Sequence, residues 1–195
     1  MRWLVGIVIT IVLLMVIYLG SAAYSLAGLI AAAREGNGAA VMERIDMPSL
    51  RRSLTDQIVA AWLERVGSTR RVSPMEKMLV NTYGATVADA MVAKLLTAER
   101  LTQILRTGNL DATAGVPNLT GLPPLADLQS EDWLSLLARV SFVQPVLLAI
   151  RVSKASDPDN YAAINLHYEG LDWKLSGIVL PKAAVRDLAA SLPMK

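Results

Sequence analysis

Hydrophobic and polar residues alternate along the chain in three regimes: an unbroken apolar stretch, then helical spacing, then strand spacing. From Trp3 to Leu19 the stretch WLVGIVITIVLLMVIYL is apolar on every side of a helical projection, and no charged residue follows until Arg34. A helix over Leu4 to Leu19 covers roughly 24 Å. The small residues Gly20, Ser21, Ala22 and Ala23 extend it toward the roughly 30 Å of a hydrocarbon core. Backbone amides of such a helix are satisfied internally, which is the condition for lying in lipid. Trp3 at one end and Tyr18 and Tyr24 at the other suit the two headgroup belts. The alternatives are a cleaved signal peptide, for which Gly20 with Ala22 or Ser21 with Ala23 would serve as the cleavage site, and a buried core helix. The apolar run is at the long end of, or beyond, a typical signal core, so an uncleaved anchor is favoured. Arg2 before the span and Arg34 as the first basic residue after it predict a cytoplasmic N-terminus, with the rest of the chain periplasmic or extracellular.

Helical spacing takes over next. Ala23 to Glu35 continues the anchor or starts at its surface, and Gly36, Asn37 and Gly38 break it. A short helix over Ala39 to Ile45 follows. Asp46-Met47-Pro48-Ser49 opens a longer one, whose apolar face is Leu50, Leu54, Ile58, Ala61, Trp62 and Val66. Ser73-Pro74-Met75-Glu76 is a capping box with proline in the first turn, starting a helix to about Leu96. That helix is expected to bury Met75, Leu79, Val80, Val87, Met91 and Leu95, with Gly84 weakening or tightening its packing. Thr97 caps a short helix to Arg106, ended by Gly108.

Thr107 to Ser130 is rich in Gly and Pro and reads as a long loop or ordered arm. Beyond it the spacing turns to period two. Trp133 to Arg139 fits either a helical turn or a strand. Phe142 to Ser153 reads as one strand, with Pro145 pushing its start to a sheet edge or bend. Ser156 to Asn160 is a turn and Tyr161 to Tyr168 the next strand. Glu169-Gly170 is a tight reversal into a third strand over Leu171 to Leu180, with Leu171, Trp173, Leu175, Gly177 and Val179 on one face. Lys182 to Ser191 forms a closing helix. Helices followed by an antiparallel meander predict an α+β fold. The expected organisation is an anchor over 1–23 and one domain over 24–195, divided into a helical part (24–106), a loop (107–130) and a meander with its closing helix (131–195).

Composition narrows the function classes more than it selects one. The chain has 195 residues, which leaves about 170 beyond the anchor, enough for one domain with a real core. The net charge of +2 is too small for a typical nucleic-acid-binding face. With no cysteine, thiolate chemistry is excluded and no disulfide is needed.

Candidate chemistry is sparse. His167 is the one histidine, so a multi-histidine metal site is excluded, and a rim position on a strand is the favoured reading of it. Asp157, Asp159 and Asn160 resemble the opening of a calcium loop, but Tyr168 stands where the twelfth-position Glu belongs, which favours a hairpin turn. Glu131 and Asp132 read as a helix start, and Asn118-Leu119-Thr120 fits a glycosylation sequon of low specificity. Arg51, Arg52, Arg65, Arg70 and Arg71 make one stretch basic. A solvated helix face is the simpler reading, and Arg51, Arg52, Arg70 and Arg71 are candidates for contact with anionic headgroups. Trp62, Trp133 and Trp173 read first as core.

The runs LAGLIAAAREGNGAAVMERIDMPSLRRSLTDQI (Leu26 to Ile58), ADAMVAKLLTAERLTQIL (Ala88 to Leu105) and HYEGLDWKLSGIVLP (His167 to Pro181) together resemble the bacterial membrane-anchored family named domain of unknown function 2939. The resemblance implies a single-pass, envelope-facing protein and transfers no catalytic residues. Helices wrapped by a curved sheet would also be similar to cystatin or NTF2-type cones, as a fold-level analogy. Two functions are expected. The first is a non-catalytic envelope module that binds a partner, with no cofactor, held to the bilayer through residues 3–19. The second is a binder of a small molecule or lipid in a cavity between sheet and helices, lined by Trp173, Tyr161, Trp62 and the helical Met residues. A cavity lined by these side chains favours the second, and a filled core with an exposed apolar patch favours the first.

Overall fold

A computed structural model of the chain describes residues 2–107, 140–144, 146–151, 161–170 and 172–192. The first element, α1, is a single helix over Arg2–Arg34. It is long and apolar enough to cross a membrane or to act as a signal sequence. It has two halves. Trp3 to Ile17 stands free of the rest of the molecule, whereas Ala22, Ser25, Ala32 and Ala33 are buried against it. Gly36, at φ +61°, ends the helix as the glycines there predict.

Asn37 then caps α2 (Gly38–Glu43), its side chain accepting from the Ala40 amide at 3.1 Å. A Cβ at Gly38 would meet the Ala98 carbonyl at 2.1 Å and the Thr102 amide at 2.8 Å, so only glycine lets α2 approach α6 (Ala98–Thr107) this closely. Asp46 caps α3 (Met47–Thr69) by accepting from the Ser49 amide at 3.2 Å. Leu50 and Ile58 are wholly buried, and each contributes about 1.5–3 kcal/mol by leaving water. Ser73 caps α4 (Pro74–Leu79), which runs through a wide π-turn over Val80–Gly84 into α5 (Ala85–Leu95). Arg51 on α3 grips Asp89 on α5 with two hydrogen bonds, at 3.0 and 2.5 Å. Thr97 accepts from the Arg100 amide at 3.3 Å and starts α6 as expected.

Among the described residues, four antiparallel strands follow in sequence order: β1 (Val140–Gln144), β2 (Leu147–Arg151), β3 (Ala163–Glu169) and β4 (Asp172–Val179). The expected single strand from Phe142 is therefore a hairpin of two, turning beside Val146 where Pro145 interrupts the sequence pattern. Glu169 and Gly170 make the second reversal, with Gly170 at φ +69°. Trp173, Leu175 and Gly177 are buried at alternate positions, as the period-two reading requires. Helix α7 (Lys182–Ala190) closes the domain by burying Val185, Leu188 and Ala189. The architecture is α+β, with the core between α3, the sheet and α5. Thr107 still belongs to α6, whereas Gly108, residues 108–130 with Asn118, Glu131, Asp132, Trp133 to Arg139, Pro145, Ser156 to Asn160 and Leu171 lie outside the described residues.

Hydrogen bonds fix the direction of the domain along α1. Ser25 donates to the Trp173 carbonyl at 2.5 Å, and the Trp173 indole donates to Ser21 Oγ at 3.1 Å. Two residues farther along β4, Leu175 exchanges backbone bonds with Arg44 and Asp46, and the Arg44 guanidinium lies against Gly28. Gln57 then bonds Ile178 and Leu180 at the far end of β4. Contacts thus climb α1, β4 and α3 in the same sense, so α3 runs away from the free end of α1.

Candidate functional site

At that far end the apolar periodicity of the chain meets solvent. Met75, Met78, Leu79 and Tyr83, spaced i, i+3, i+4 and i+8, form one stripe on α4 and the π-turn, and they are 75%, 72%, 50% and 70% exposed. The opposite side of the same segment is packed, with Val80, Gly84, Ala88, Met91, Val92 and Leu95 buried. This corrects the expected burial of Met75 and Leu79. One helical segment carries two apolar faces, and α3 covers only the one that holds Val80. The wide turn carries the C-terminal end of the stripe, where Thr82 and Thr86 hydroxyls donate to the carbonyls of Met78 and Thr82. Such back-bonding bends helices, and wide turns recur at functional positions.

Beside the stripe an open groove of about 610 Å³ runs between α3 and the π-turn, lined by Trp62, Arg65, Val66, Arg70, Leu79 and Tyr83 among others. Trp62 is buried in its floor, and its indole N–H has no hydrogen-bond partner among the described residues. The groove is bounded by an ion pair in which Arg70 donates to both carboxylate oxygens of Glu76. Arg70's hydrogen bonds hold the Glu76 carboxyl below the usual carboxylate range. Its partial desolvation opposes this, while the Arg70 charge and the Ser73 backbone amide add to it. The same pair raises the Arg70 guanidinium above its ordinary value, chiefly through the hydrogen bonds.

The residues singled out from the sequence are scattered. Trp173 is 2% exposed and fills the core, its ring centroid 5.1 Å from Tyr18 and 5.4 Å from Tyr168. Tyr161 lies at the surface with the Arg151 guanidinium 5.3 Å from its ring centroid. Of the expected trio, only Trp62 reaches the groove. Arg51 is committed to Asp89 and Arg70 to Glu76, while Arg52 and Arg71 are exposed. Arg70 and Arg71 stand past the end of α3, the end remote from the free half of α1. His167 is half-buried on β3, opposite Leu147 and Lys174. No group of three metal-ligating side chains occurs among the described residues. Tyr83 escaped the sequence reading and Met78 entered it only among the helical methionines expected to line a cavity, although the spacing of both from Met75 was a usable signal for a second apolar face.

Residues 11–104 match the family model described as Protein of unknown function (DUF2939). The match begins inside α1 and ends in α6, so it takes in the first quoted run and nearly all of the second and stops short of His167 to Pro181. No curated protein and no solved structure matches the chain.

Proposed function

We propose, from the premise that the chain belongs over residues 11–104 to the DUF2939 family of proteins of unknown function, that it is a single-pass membrane-anchored envelope protein whose outer domain is a non-catalytic interaction module. Its N-terminus lies in the cytoplasm and its domain across the bilayer, consistent with Arg2 before the apolar run and Arg34 as the first basic residue after it. The observation that carries the reading is the outward stripe of Met75, Met78, Leu79 and Tyr83. Large side chains at core spacing gain nothing by facing water, and methionines adapt to the shape of whatever covers them. The groove floored by Trp62 supplies a neighbouring hold for a partner side chain, with Arg65 as a cation on its wall. A protein partner reaching the distal end of the domain suits this face better than headgroups of the bilayer that holds α1, because α3 carries the face away from that end.

The cavity reading, in which Trp173, Tyr161 and Trp62 line one site, has less support, since Trp173 is packed and Tyr161 lies elsewhere. A photocrosslinking residue placed at Met78 in the full chain, expressed in its membrane, should give one discrete protein adduct. The same residue at exposed Asp187 on α7 serves as the control. Equal labelling at the two positions would remove the stripe as the working face. A C-terminal reporter active only outside the cytoplasm should give signal, and silence from a stably expressed fusion would overturn the orientation.

A further inference from the structure

We infer that the tip of the β3–β4 hairpin, with the half-buried rings of Tyr18 and Tyr168 beside it, forms a seat on the headgroup layer of the bilayer that α1 crosses. The inference rests on the reading of α1 as a span and adds to it where the domain must lie. The free part of α1, Trp3 to Ile17, is about 22 Å long, roughly 8 Å short of a hydrocarbon core. A short span of this kind is met by local thinning of the bilayer. The next residues, Tyr18 to Ala23, are the first ones the domain touches. Their outward side remains bare, with Gly20, Ala23 and Tyr24 exposed, while Ala22 is buried and Tyr18 and Ser21 are half-buried on the inward side. Residues covered by protein on one side are not surrounded by lipid, so the span ends where the cover begins, at Tyr18, and the covering edge lies at the depth of the interface.

That edge has the chemistry the interface asks for. Tyr18 and Tyr168 are half-buried with ring centroids 5.8 Å apart, and both pack on the buried Trp173. A belt supplied elsewhere by aromatic residues on the spanning helix is here joined by Tyr168 of β3. The contacts of β4 descend α1 from Gly28 through Ser25 to Ser21 as the strand is followed back from Leu175 to Trp173. The hairpin tip beyond Trp173 therefore points toward the bilayer. Glu169 and Asp172 at the tip are exposed, and Lys174 pairs with Glu169 at 3.1 Å, a zwitterionic end suited to contact with polar headgroups. The lipid surface itself is the occupant, because the span fixes it at this height.

The chain has no cysteine, so single cysteines can be introduced and labelled without background. In the full chain reconstituted into phospholipid vesicles, a fluorophore at Asp172→Cys should be quenched several-fold more by headgroup-nitroxide lipid than one at Glu35→Cys, at the far end of α1. Equal quenching at 172 and 35, with Ile9→Cys strongly quenched by acyl-chain nitroxide, would overturn the seat while leaving the span intact. Absence of quenching at position 9 would instead remove the span, and with it the seat.

Discussion

Among the described residues, two stretches leave a run of large apolar side chains bare, and they do so in opposite geometries. Trp3 to Ile17 is apolar around the whole circumference of the helix, so no single neighbouring element could cover it. Met75 to Tyr83 is apolar on one stripe, with Val80 and Gly84 on the covered side and Lys77 and Asn81 exposed beside it. A bare cylinder is satisfied by an isotropic apolar solvent, and a bare stripe is satisfied by a shaped surface. Burial alone therefore does not distinguish an anchor from a docking face, whereas the angular spread of the exposed residues does.

A charge separates the two most strongly. Ile11→Arg places a cation near the middle of the free stretch, at a cost of about 2.5–3.5 kcal/mol for insertion. Membrane retention, followed by carbonate extraction, should fall sharply. Met78→Arg should leave retention unchanged, hold stability within about 0.5 kcal/mol because the side chain touches little, and abolish the adduct read from neighbouring positions of the stripe. If both variants leave the membrane together, the two surfaces are one lipid-facing system and the contrast fails. A smaller effect probes the joint between them. Ser25→Ala leaves the Trp173 carbonyl without its donor, at a cost of about 1–3 kcal/mol. Amide exchange in β4 should quicken while the insertion of Trp3 to Ile17 is untouched.

Much of this was legible in the sequence because it is written in local chemistry. Asp46 before Pro48, Ser73 before Pro74, the Gly36-Asn37-Gly38 break and the Glu169-Gly170 reversal each name an end of an element, and each end falls where it is expected. What period cannot tell is what lies opposite a face. Met75 and Leu79 carry core spacing and stand in water because α3 covers the other side of their helix. The π-turn has no sequence signature beyond Gly84. The β1–β2 hairpin was lost because Phe142 to Ser153 is mostly apolar, with Gln144-Pro145 the one break before Arg151, and a proline marks an edge as readily as a turn. Trp62 was legible as a large ring on an apolar face, but its unpartnered indole depends on which residues fold around it.

The smallest expected effect is on pH, and it belongs to the stripe alone. Glu76 is held below its ordinary range by Arg70, so its pairing contributes fully at pH values above the unfolded-state pKa and is lost as the pH falls through the depressed folded value. Acidification from neutral should thus release Arg70, loosen the turn between α3 and α4 and let the Ser73 cap fray, lowering the adduct yield at Met78. The change should be slight, because the pair lies at the surface, where screening leaves little net gain. Glu76→Gln removes the titrating group, so its adduct yield should be lower at neutral pH and flat on acidification. Reconstituted α1 has no titrating partner in its free half, and quenching of a label at Ile9→Cys should not move over the same range. A parallel change at both sites would mean that the anchor and the distal face respond as one body rather than as two separately satisfied surfaces.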